Sequence, residues 1–206
     1  MVGLCANFAG TIGVCIAKSM VEPTCTIRGS ERRREAELKG LNMKPPMKNI
    51  SSDDFQTPAF ALSPLLPYLD KNKVIWECAS GKGNLANALK FFGYKVVATD
   101  ISESKDFLSY KPDYYDIILT NPPYSLKNEF LARAYSLGKP FAFLLPLTFL
   151  ETQFRQSLFK KYGIQILLLN KRINFETPSG KGSGAWFATA WFCWKLLPER
   201  IMFGDL

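Results

Sequence analysis

The chain of 206 residues contains no histidine, so it lacks the side chain that most often acts as a general base or a metal ligand. Catalysis of the Ser-His-Asp and Cys-His kinds is therefore excluded. The five cysteines are scattered and include no Cys-x-x-Cys pair, so the sequence predicts no zinc site. Isolated cysteines in an odd number are typical of a reducing compartment, and we expect a cytoplasmic protein.

Long hydrophobic runs are also missing. No stretch reaches the ~20 apolar residues that a membrane-spanning helix needs, and residues 1–17 lack the basic start of a secretory signal. We therefore expect no membrane partner. The formal net charge of +8 is shared equally, because residues 1–48 hold eight Lys or Arg and four Glu, which leaves +4 for residues 49–206. This mild excess is compatible with a nucleic-acid partner but does not establish one.

The composition changes near residue 48. Residues 1–48 include "ERRREAELKG" and "NMKPPMKN", and they are predicted to form a flexible or partly helical tail. Residues 49–206 are long enough to bury one core and are predicted to form one domain. Short apolar runs alternate there with helical segments that end at glycine, which predicts an α/β fold with a mostly parallel sheet. The predicted strands are 73–79, 94–100, 115–120, 140–147, 164–170 and 184–196, and the predicted helices are 81–93, 125–138 and 151–163.

Two candidate ligand-binding features follow the first two predicted strands. The segment "ECASGKG", residues 77–83, combines glycines, which let a ligand approach the backbone, with a helix N-terminus that offers free N–H groups. Asp100 ends the second strand, where a carboxylate can accept both hydroxyls of a ribose. Asp106 is a candidate acceptor for an adenine amino group. Ligands of parallel sheets bind at the carboxyl ends of the strands, where these residues are expected.

The third feature is "NPPY", residues 121–124, directly after the apolar strand "YDIILT". Two consecutive prolines stop the strand and stiffen an acceptor-rich backbone. The Asn121 side chain and the Pro122 carbonyl would then point into a common space, with Tyr124 beside it. This arrangement indicates the edge of a pocket.

Together these motifs resemble the S-adenosylmethionine-dependent methyltransferases that methylate the N6 amine of adenine in nucleic acids, over roughly residues 53–195. The resemblance implies a Rossmann-like class I methyltransferase fold, with a mostly parallel seven-stranded sheet and helices on both faces. It also implies S-adenosylmethionine as the cofactor and no metal. The implied catalytic residues are Asn121, Pro122, Pro123 and Tyr124. The implied cofactor residues are Thr57 and Pro58 of "FQTP", Glu77, Ala79, Gly81, Gly83, Asp100, Ile101, Asp106, Phe107 and Asn121.

The resemblance also implies a substrate-binding loop at residues 170–184. The family has a loop there with an aromatic residue that packs against a flipped base. Phe175 is the candidate for that role, although a core position is equally compatible with its sequence context. Tyr124, Lys171, Arg172 and Lys181 complete the implied substrate-binding set, because basic residues in such a loop commonly contact phosphates.

The chain departs from the family because it has no segment of the size of a target-recognition domain. DNA and RNA both remain open as substrates, as does the oligomeric state. A flipped base costs a few kcal/mol to extract from a duplex, so we expect a preference for single-stranded or mismatched substrate. Two alternatives stay open. One is a protein glutamine methyltransferase, since these enzymes also carry NPPY, and the other is a catalytically silent nucleic-acid-binding module.

Overall fold

The predicted alternation of strands and helices is present in the computed structural model, which describes residues 56–175 and 187–206. The predicted tail, residues 1–48, lies outside the described residues. The strands are β1 Val74–Glu77, β2 Lys95–Ala98, β3 Ile117–Thr120, β4 Phe141–Pro146, β5 Gln165–Leu169, β6 Thr189–Trp194 and β7 Ile201–Gly204. The α-helices are α1 Asn84–Phe91, α2 Lys127–Leu137 and α3 Gln153–Tyr162. Single 3₁₀ turns cover Ala59–Leu62, Leu66–Tyr68, Ile101–Glu103, Tyr124–Leu126 and Leu147–Leu150.

The seven strands form one sheet in the order β2-β1-β3-β4-β6-β5-β7. Strand β6 runs antiparallel to its neighbours β4 and β5, and the other pairs are parallel. From β1 the chain first adds β2 on one side and later adds β3 on the other. The strand order therefore reverses beside β1, and such a reversal opens a crevice at the carboxyl ends of the strands.

Successive strand residues point to opposite faces and form two cores. The first core cluster includes Ile117 and Leu119 of β3 and is covered by the turn at Ala59–Leu62 and by α1. The second includes Ile118 and is covered by α2 and by partly buried residues of α3. Burial on both faces explains why the strands read as continuous apolar runs rather than as alternating ones.

Two details differ from the sequence-based expectation. The last predicted strand, 184–196, begins at Thr189 and ends at Trp194, because Lys195 has a positive φ of 53° that breaks the extended backbone. The chain then turns back and adds β7, which pairs in parallel with β5 and was not among the predicted strands. This short strand supplies the seventh position of the sheet.

Trp191 of β6 provides a test of the packing, because it is fully buried and its Nε1 donates a hydrogen bond to the Ala61 carbonyl at 2.9 Å. Trp191→Phe would leave that carbonyl unpaired and remove part of the ring. We expect a loss of roughly 2–4 kcal/mol in the free energy of unfolding, measured by urea denaturation. Phe203→Ala is the control, since Phe203 is 81% exposed, and it should change stability by less than about 0.5 kcal/mol. Equal losses in both variants would contradict this packing.

Candidate active site

A cavity of about 310 Å³ opens at the carboxyl ends of β1, β2 and β3, where the strand order reverses. Small-molecule sites range from about 300 to 1,000 Å³, so this one suits a compact ligand. The predicted residues that line it are Thr57, Glu77, Ala79, Gly81, Asp100, Ile101, Asp106, Phe107, Asn121 and Pro123. The predicted residues Pro58, Gly83, Pro122 and Tyr124 lie outside that lining.

The glycine turn after β1 forms one wall of the cavity. Gly81 and Gly83 have φ values of +49° and +84°, which other residues rarely adopt. A Cβ on Gly81 would lie 3.1 Å from the Gln56 side-chain nitrogen. The Gly81 N–H donates to Asp100 Oδ2 at 2.9 Å and therefore ties the turn to the end of β2. The positive φ values favour glycine at both positions, and at Gly81 the end of the Gln56 side chain would also have to shift slightly to admit a Cβ.

Asp100 is held rigidly at the end of β2. Its Oδ1 accepts hydrogen bonds from the Ser102 N–H at 3.0 Å and the Ser102 hydroxyl at 2.8 Å. Partial burial works to raise the pKa of Asp100, but the hydrogen bonds from Ser102 and Gly81 outweigh it, and the pKa lies below its ordinary value. The carboxylate is therefore ionised at neutral pH and its position is fixed.

The 3₁₀ turn after Asp100 supplies the next part of the wall. Ile101 is 68% exposed although it lines the cavity, so its side chain offers an open apolar surface. Asp106 Oδ1 accepts from the Leu108 N–H at 2.9 Å. Phe107 is buried against Trp76, with ring centroids 5.2 Å apart. These contacts anchor the segment to the core while its polar side faces the cavity.

The NPPY segment leaves β3 at the opposite side of the cavity. The Pro123 carbonyl accepts from the Leu126 N–H at 3.0 Å, and Lys127 Nζ donates to the Tyr124 carbonyl at 2.9 Å. Both contacts hold the backbone that follows the two prolines. Asn121 Oδ1 is buried and has no hydrogen-bond partner among the described residues. An unpaired buried acceptor is costly, so this atom is available for a donor from a ligand.

Glu77 is the buried acid of the cavity, with 1% of its surface exposed. Burial raises the pKa of Glu77 to about 8; the Thr120 hydroxyl and the Ala79 N–H work to lower it, and the charge of Asp100 raises it further. Glu77 Oε1 accepts from the Ala79 N–H at 3.2 Å. Glu77 Oε2 and Thr120 Oγ1 are both buried, and the contact between Thr120 and Glu77 falls short of ideal hydrogen-bond geometry. The protonated form of Glu77 therefore predominates at neutral pH.

The predicted substrate residues are only partly brought together. Phe175 is 3% exposed in the first core cluster, so the base-facing position expected for it is not the one that its side chain takes here. Phe187, which the sequence reading missed, lies edge-on to Tyr124 with ring centroids 5.9 Å apart. Lys171 and Arg172 are exposed after β5. Lys181 lies outside the described residues.

Several lining residues carried no separate signal in the sequence. Gln56 precedes Thr57, and Cys78 and Ser80 lie inside the "ECASGKG" segment. The neighbouring motifs indicated the site, but nothing in the sequence singled out these three residues. Leu85, Leu126 and Phe130 come from helical segments, where an apolar residue reads as core. These six residues complete the lining: Gln56, Cys78, Ser80, Leu85, Leu126 and Phe130.

Residues 56–175 and 187–206 contain no group of three or more Cys, Asp or Glu side chains placed to hold a metal ion. No helix in these ranges is long and apolar enough to cross a membrane. The acidic residues at the cavity are instead engaged with backbone N–H groups of the glycine turn and of the turn after β2.

Comparison with solved structures identifies the fold of the domain. The chain matches no protein-family model and no curated protein. Among solved structures, a candidate RNA methyltransferase from Pyrococcus horikoshii shares 16% identity with a TM-score of 0.50, covering 81% of this chain and 100% of its own. A candidate class I S-adenosylmethionine-dependent methyltransferase from Listeria monocytogenes shares 18% identity with a TM-score of 0.51, covering 85% of this chain and 72% of its own. The domain has the class I methyltransferase fold, which confirms the predicted sheet and layers.

The protonation of Glu77 gives a testable pH dependence. Its pKa is about 8 in the folded chain and near 4.5 in the unfolded chain, so the folded state binds the proton more tightly. This contribution is fully present below pH 4.5 and is lost as the pH rises towards 8. Glu77→Gln is neutral at every pH, so it should lose less stability than the native protein between pH 5 and pH 8.

Urea unfolding of both proteins at pH 5 and pH 8 measures this difference. From pH 5 to pH 8 the free energy of unfolding of the native protein should fall by up to a few kcal/mol more than that of Glu77→Gln. One pKa unit corresponds to about 1.4 kcal/mol. Asp70→Asn, which changes an exposed acid far from the cavity, is the control and should leave the pH profile unchanged. Parallel profiles for native protein and Glu77→Gln would show that Glu77 is ionised in the folded state.

Proposed function

We propose that the protein transfers a methyl group from S-adenosylmethionine to the exocyclic N6 amine of adenine in DNA or RNA. The observation that carries this proposal is the buried Asn121 oxygen, which has no partner among the described residues and lines the same cavity as Asp100. One cavity thus combines a fixed carboxylate suited to a ribose with an acceptor suited to an amine. The resemblance of the motifs and the class I methyltransferase fold both support this assignment.

The residues present fit the cofactor. Asp100 is ionised and immobilised by Gly81 and Ser102, as a ribose diol acceptor should be. The exposed face of Ile101 and the buried ring of Phe107 can flank an adenine, and Asp106 can accept from its amino group. The positive φ of Gly81 keeps that wall free of side chains. Glu77 lines the same cavity with 1% of its surface exposed, and a donor from the ligand could bind its buried Oε2.

The chemistry would require positioning of the amine: as the N–CH3 bond forms, the bond from the methyl to sulfur breaks to leave a neutral thioether, and the amine loses one proton to solvent. Bound S-adenosylmethionine supplies an electrophilic methyl group on a sulfonium. An exocyclic amine is a weak nucleophile because its lone pair is delocalised into the ring. Asn121 Oδ1 and the Pro122 carbonyl accept its two N–H groups and so favour the geometry in which the lone pair faces the methyl. The adjacent prolines hold both acceptors still, and the chemistry needs no histidine.

A base held in this way needs stacking partners. Tyr124 and Phe187 lie edge-on to each other with ring centroids 5.9 Å apart and are both only partly buried, which makes this pair the candidate stacking surface for a planar base. We therefore assign the second aromatic to Phe187 instead of Phe175. Base–aromatic stacking contributes roughly 1–3 kcal/mol per base.

A glutamine side chain presents the same planar NH₂ group, so a protein glutamine methyltransferase is the second candidate. The pair Tyr124 and Phe187 favours a base, because an aliphatic amide gains less from two flanking rings. A catalytically silent module would bind the cofactor and methylate no acceptor.

The decisive assay is transfer of tritiated methyl from S-adenosylmethionine to matched pools of single-stranded DNA, duplex DNA and RNA, followed by nucleoside analysis. N6-methyladenosine in its deoxy or ribo form would establish the reaction and the polymer. We expect higher turnover on single strands than on paired duplex. Label in none of the three pools, with cofactor binding intact, would reject the proposal and direct the assay to glutamine-containing peptides.

Variants of the two sides of the cavity should separate chemistry from cofactor binding. Asn121→Ala should reduce kcat by at least about 10²-fold, the usual effect of losing one preorganised polar contact, with cofactor Kd within about three-fold of native. Asp100→Ala should weaken cofactor binding by about ten-fold or more, since a charged hydrogen bond contributes roughly 1.5–3 kcal/mol.

Calorimetric titration of cofactor and initial rates give both quantities. Because Asp100 also accepts from Gly81, Asp100→Asn is the matched variant that keeps an acceptor while removing the charge. Equal loss of cofactor affinity in Asn121→Ala and Asp100→Ala would refute this division of roles.

Phe187 and Phe175 can be distinguished because their alanine variants should change different properties. Phe187→Ala should raise KM for the nucleic acid by about ten-fold, in line with one lost stacking contact, and leave cofactor affinity unchanged. Phe175→Ala should cost roughly 3–5 kcal/mol of stability because its ring is buried. Steady-state kinetics and urea unfolding of both variants provide the measurements, and a reversed pattern would restore Phe175 to the site.

A further inference from the structure

The charges of the domain are divided unevenly between the two ends of its strands. We call the side of the sheet where the parallel strands end, which holds the cavity, the carboxyl edge. It comprises residues 77–83, 99–106, 121–129, 147–155, 170–172 and 205–206. It carries six basic and seven acidic residues. The amino edge, where every strand except β6 begins and β6 ends, comprises residues 70–73, 90–95, 113–116, 138–140, 160–164 and 195–200. It carries nine basic and four acidic residues. The described positive charge is therefore concentrated opposite the cavity.

Helix ends explain only a third of these cations. Lys90, Lys160 and Lys161 lie in the last turns of α1 and α3, where a positive charge complements the helix dipole. The other six have no such reason. They flank five different strands and are all exposed: Lys71, Lys73, Lys95, Lys139, Lys195 and Arg200.

Aromatic rings are interleaved with these lysines. Lys139 Nζ lies 5.9 Å from the centroid of the Tyr115 ring, and Lys195 Nζ lies 4.1 Å from that of Trp194. Further rings are themselves exposed along the edge, with Phe91 86% and Tyr114 63% accessible. Cations held near aromatic faces, alternating with exposed rings, provide both the phosphate contacts and the stacking surfaces that single-stranded nucleic acids use.

We propose that the amino edge of the sheet is a second nucleic-acid-binding surface, separate from the cavity, which holds the phosphate backbone of the substrate polymer. As to the identity of the partner, this inference rests on the proposed function. Six strand spacings of about 4.8 Å give the edge a length of roughly 29 Å, enough to contact several phosphates. Strands of four to six residues separate it from the cavity by roughly 13–20 Å, so the polymer curves around the sheet.

An anionic membrane would also attract these lysines, but the apolar residues at this edge do not suit one. Phe91 is at the end of α1, Tyr114 precedes β3 and Tyr162 ends α3, so the exposed rings are separate. Membrane binding needs a continuous apolar face that enters the bilayer. Single rings suit individual bases, which stack one at a time.

The test compares two triple variants with the same change in charge. Lys71→Glu, Lys139→Glu and Lys195→Glu alter the amino edge, and Lys82→Glu, Lys105→Glu and Lys111→Glu alter lysines outside it. Fluorescence anisotropy with labelled single-stranded DNA and RNA, without cofactor and across a series of salt concentrations, measures binding. Circular dichroism melting checks that both variants fold.

The amino-edge triple should bind at least about ten-fold more weakly than the native protein and its salt slope should fall by about two, because each lost phosphate contact on a single strand removes ~0.7 from the slope. The control triple should lose less than about three-fold. Equal losses in both triples, or no loss in the first, would overturn the proposal. So would binding to phosphatidylserine vesicles without binding to nucleic acid.

The assay keeps this inference independent of catalysis because it contains no cofactor and measures no turnover. Binding through the amino edge with no methyl transfer to any nucleic acid would reject the proposed function and leave the surface established. Methyl transfer with equal losses in both triples would do the reverse.

Discussion

Parallel pairing of β1 with both β2 and β3 is the constraint on which the site depends. Because Glu77 is in register with Ala98 and the neighbouring β3 pairs with the other side of β1, the three strands end side by side. The distances between their terminal side chains are therefore set by the hydrogen-bonded sheet and not by flexible loops. The bond from the Gly81 N–H to Asp100 then closes the glycine turn onto β2. A ligand would meet walls that need little rearrangement.

The same directionality would let the two ends of the sheet serve different tasks in the proposed function. The carboxyl edge is nearly balanced in charge and presents acceptors at fixed places, as positioning chemistry requires. The amino edge carries the excess of lysine and arginine and is remote from the reacting atoms. Long-range attraction of a polyanion needs an excess of positive charge but no exact placement of side chains. The requirement for positioned acceptors and the requirement for positive charge therefore involve different loops. One sheet can therefore meet both demands with its two ends.

Much of this arrangement was predictable from the sequence because the signals were local. Apolar runs and glycine stops predicted the alternation, and the motifs predicted most of the cavity lining, including Asp100 and Asn121. Strand β7 was not predicted because a strand of four residues after a turn shows too little hydrophobic pattern to be recognised. Phe175 could have been recognised as core, since Ile173 and Phe175 alternate and are both buried. Phe187 could not, because its contact with Tyr124 joins residues that are distant in sequence.

The cavity retains a polar atom that the fold does not require. Asn121 Oδ1 is buried without a partner among the described residues, and an atom left in that way costs about 1–3 kcal/mol. Against a total stability of roughly 5–15 kcal/mol this is a sizeable cost. A ligand that donates to this atom would offset the cost on binding. Because Glu77 is protonated beforehand, a cationic ligand group would favour its ionised form, and binding would then be linked to release of that proton.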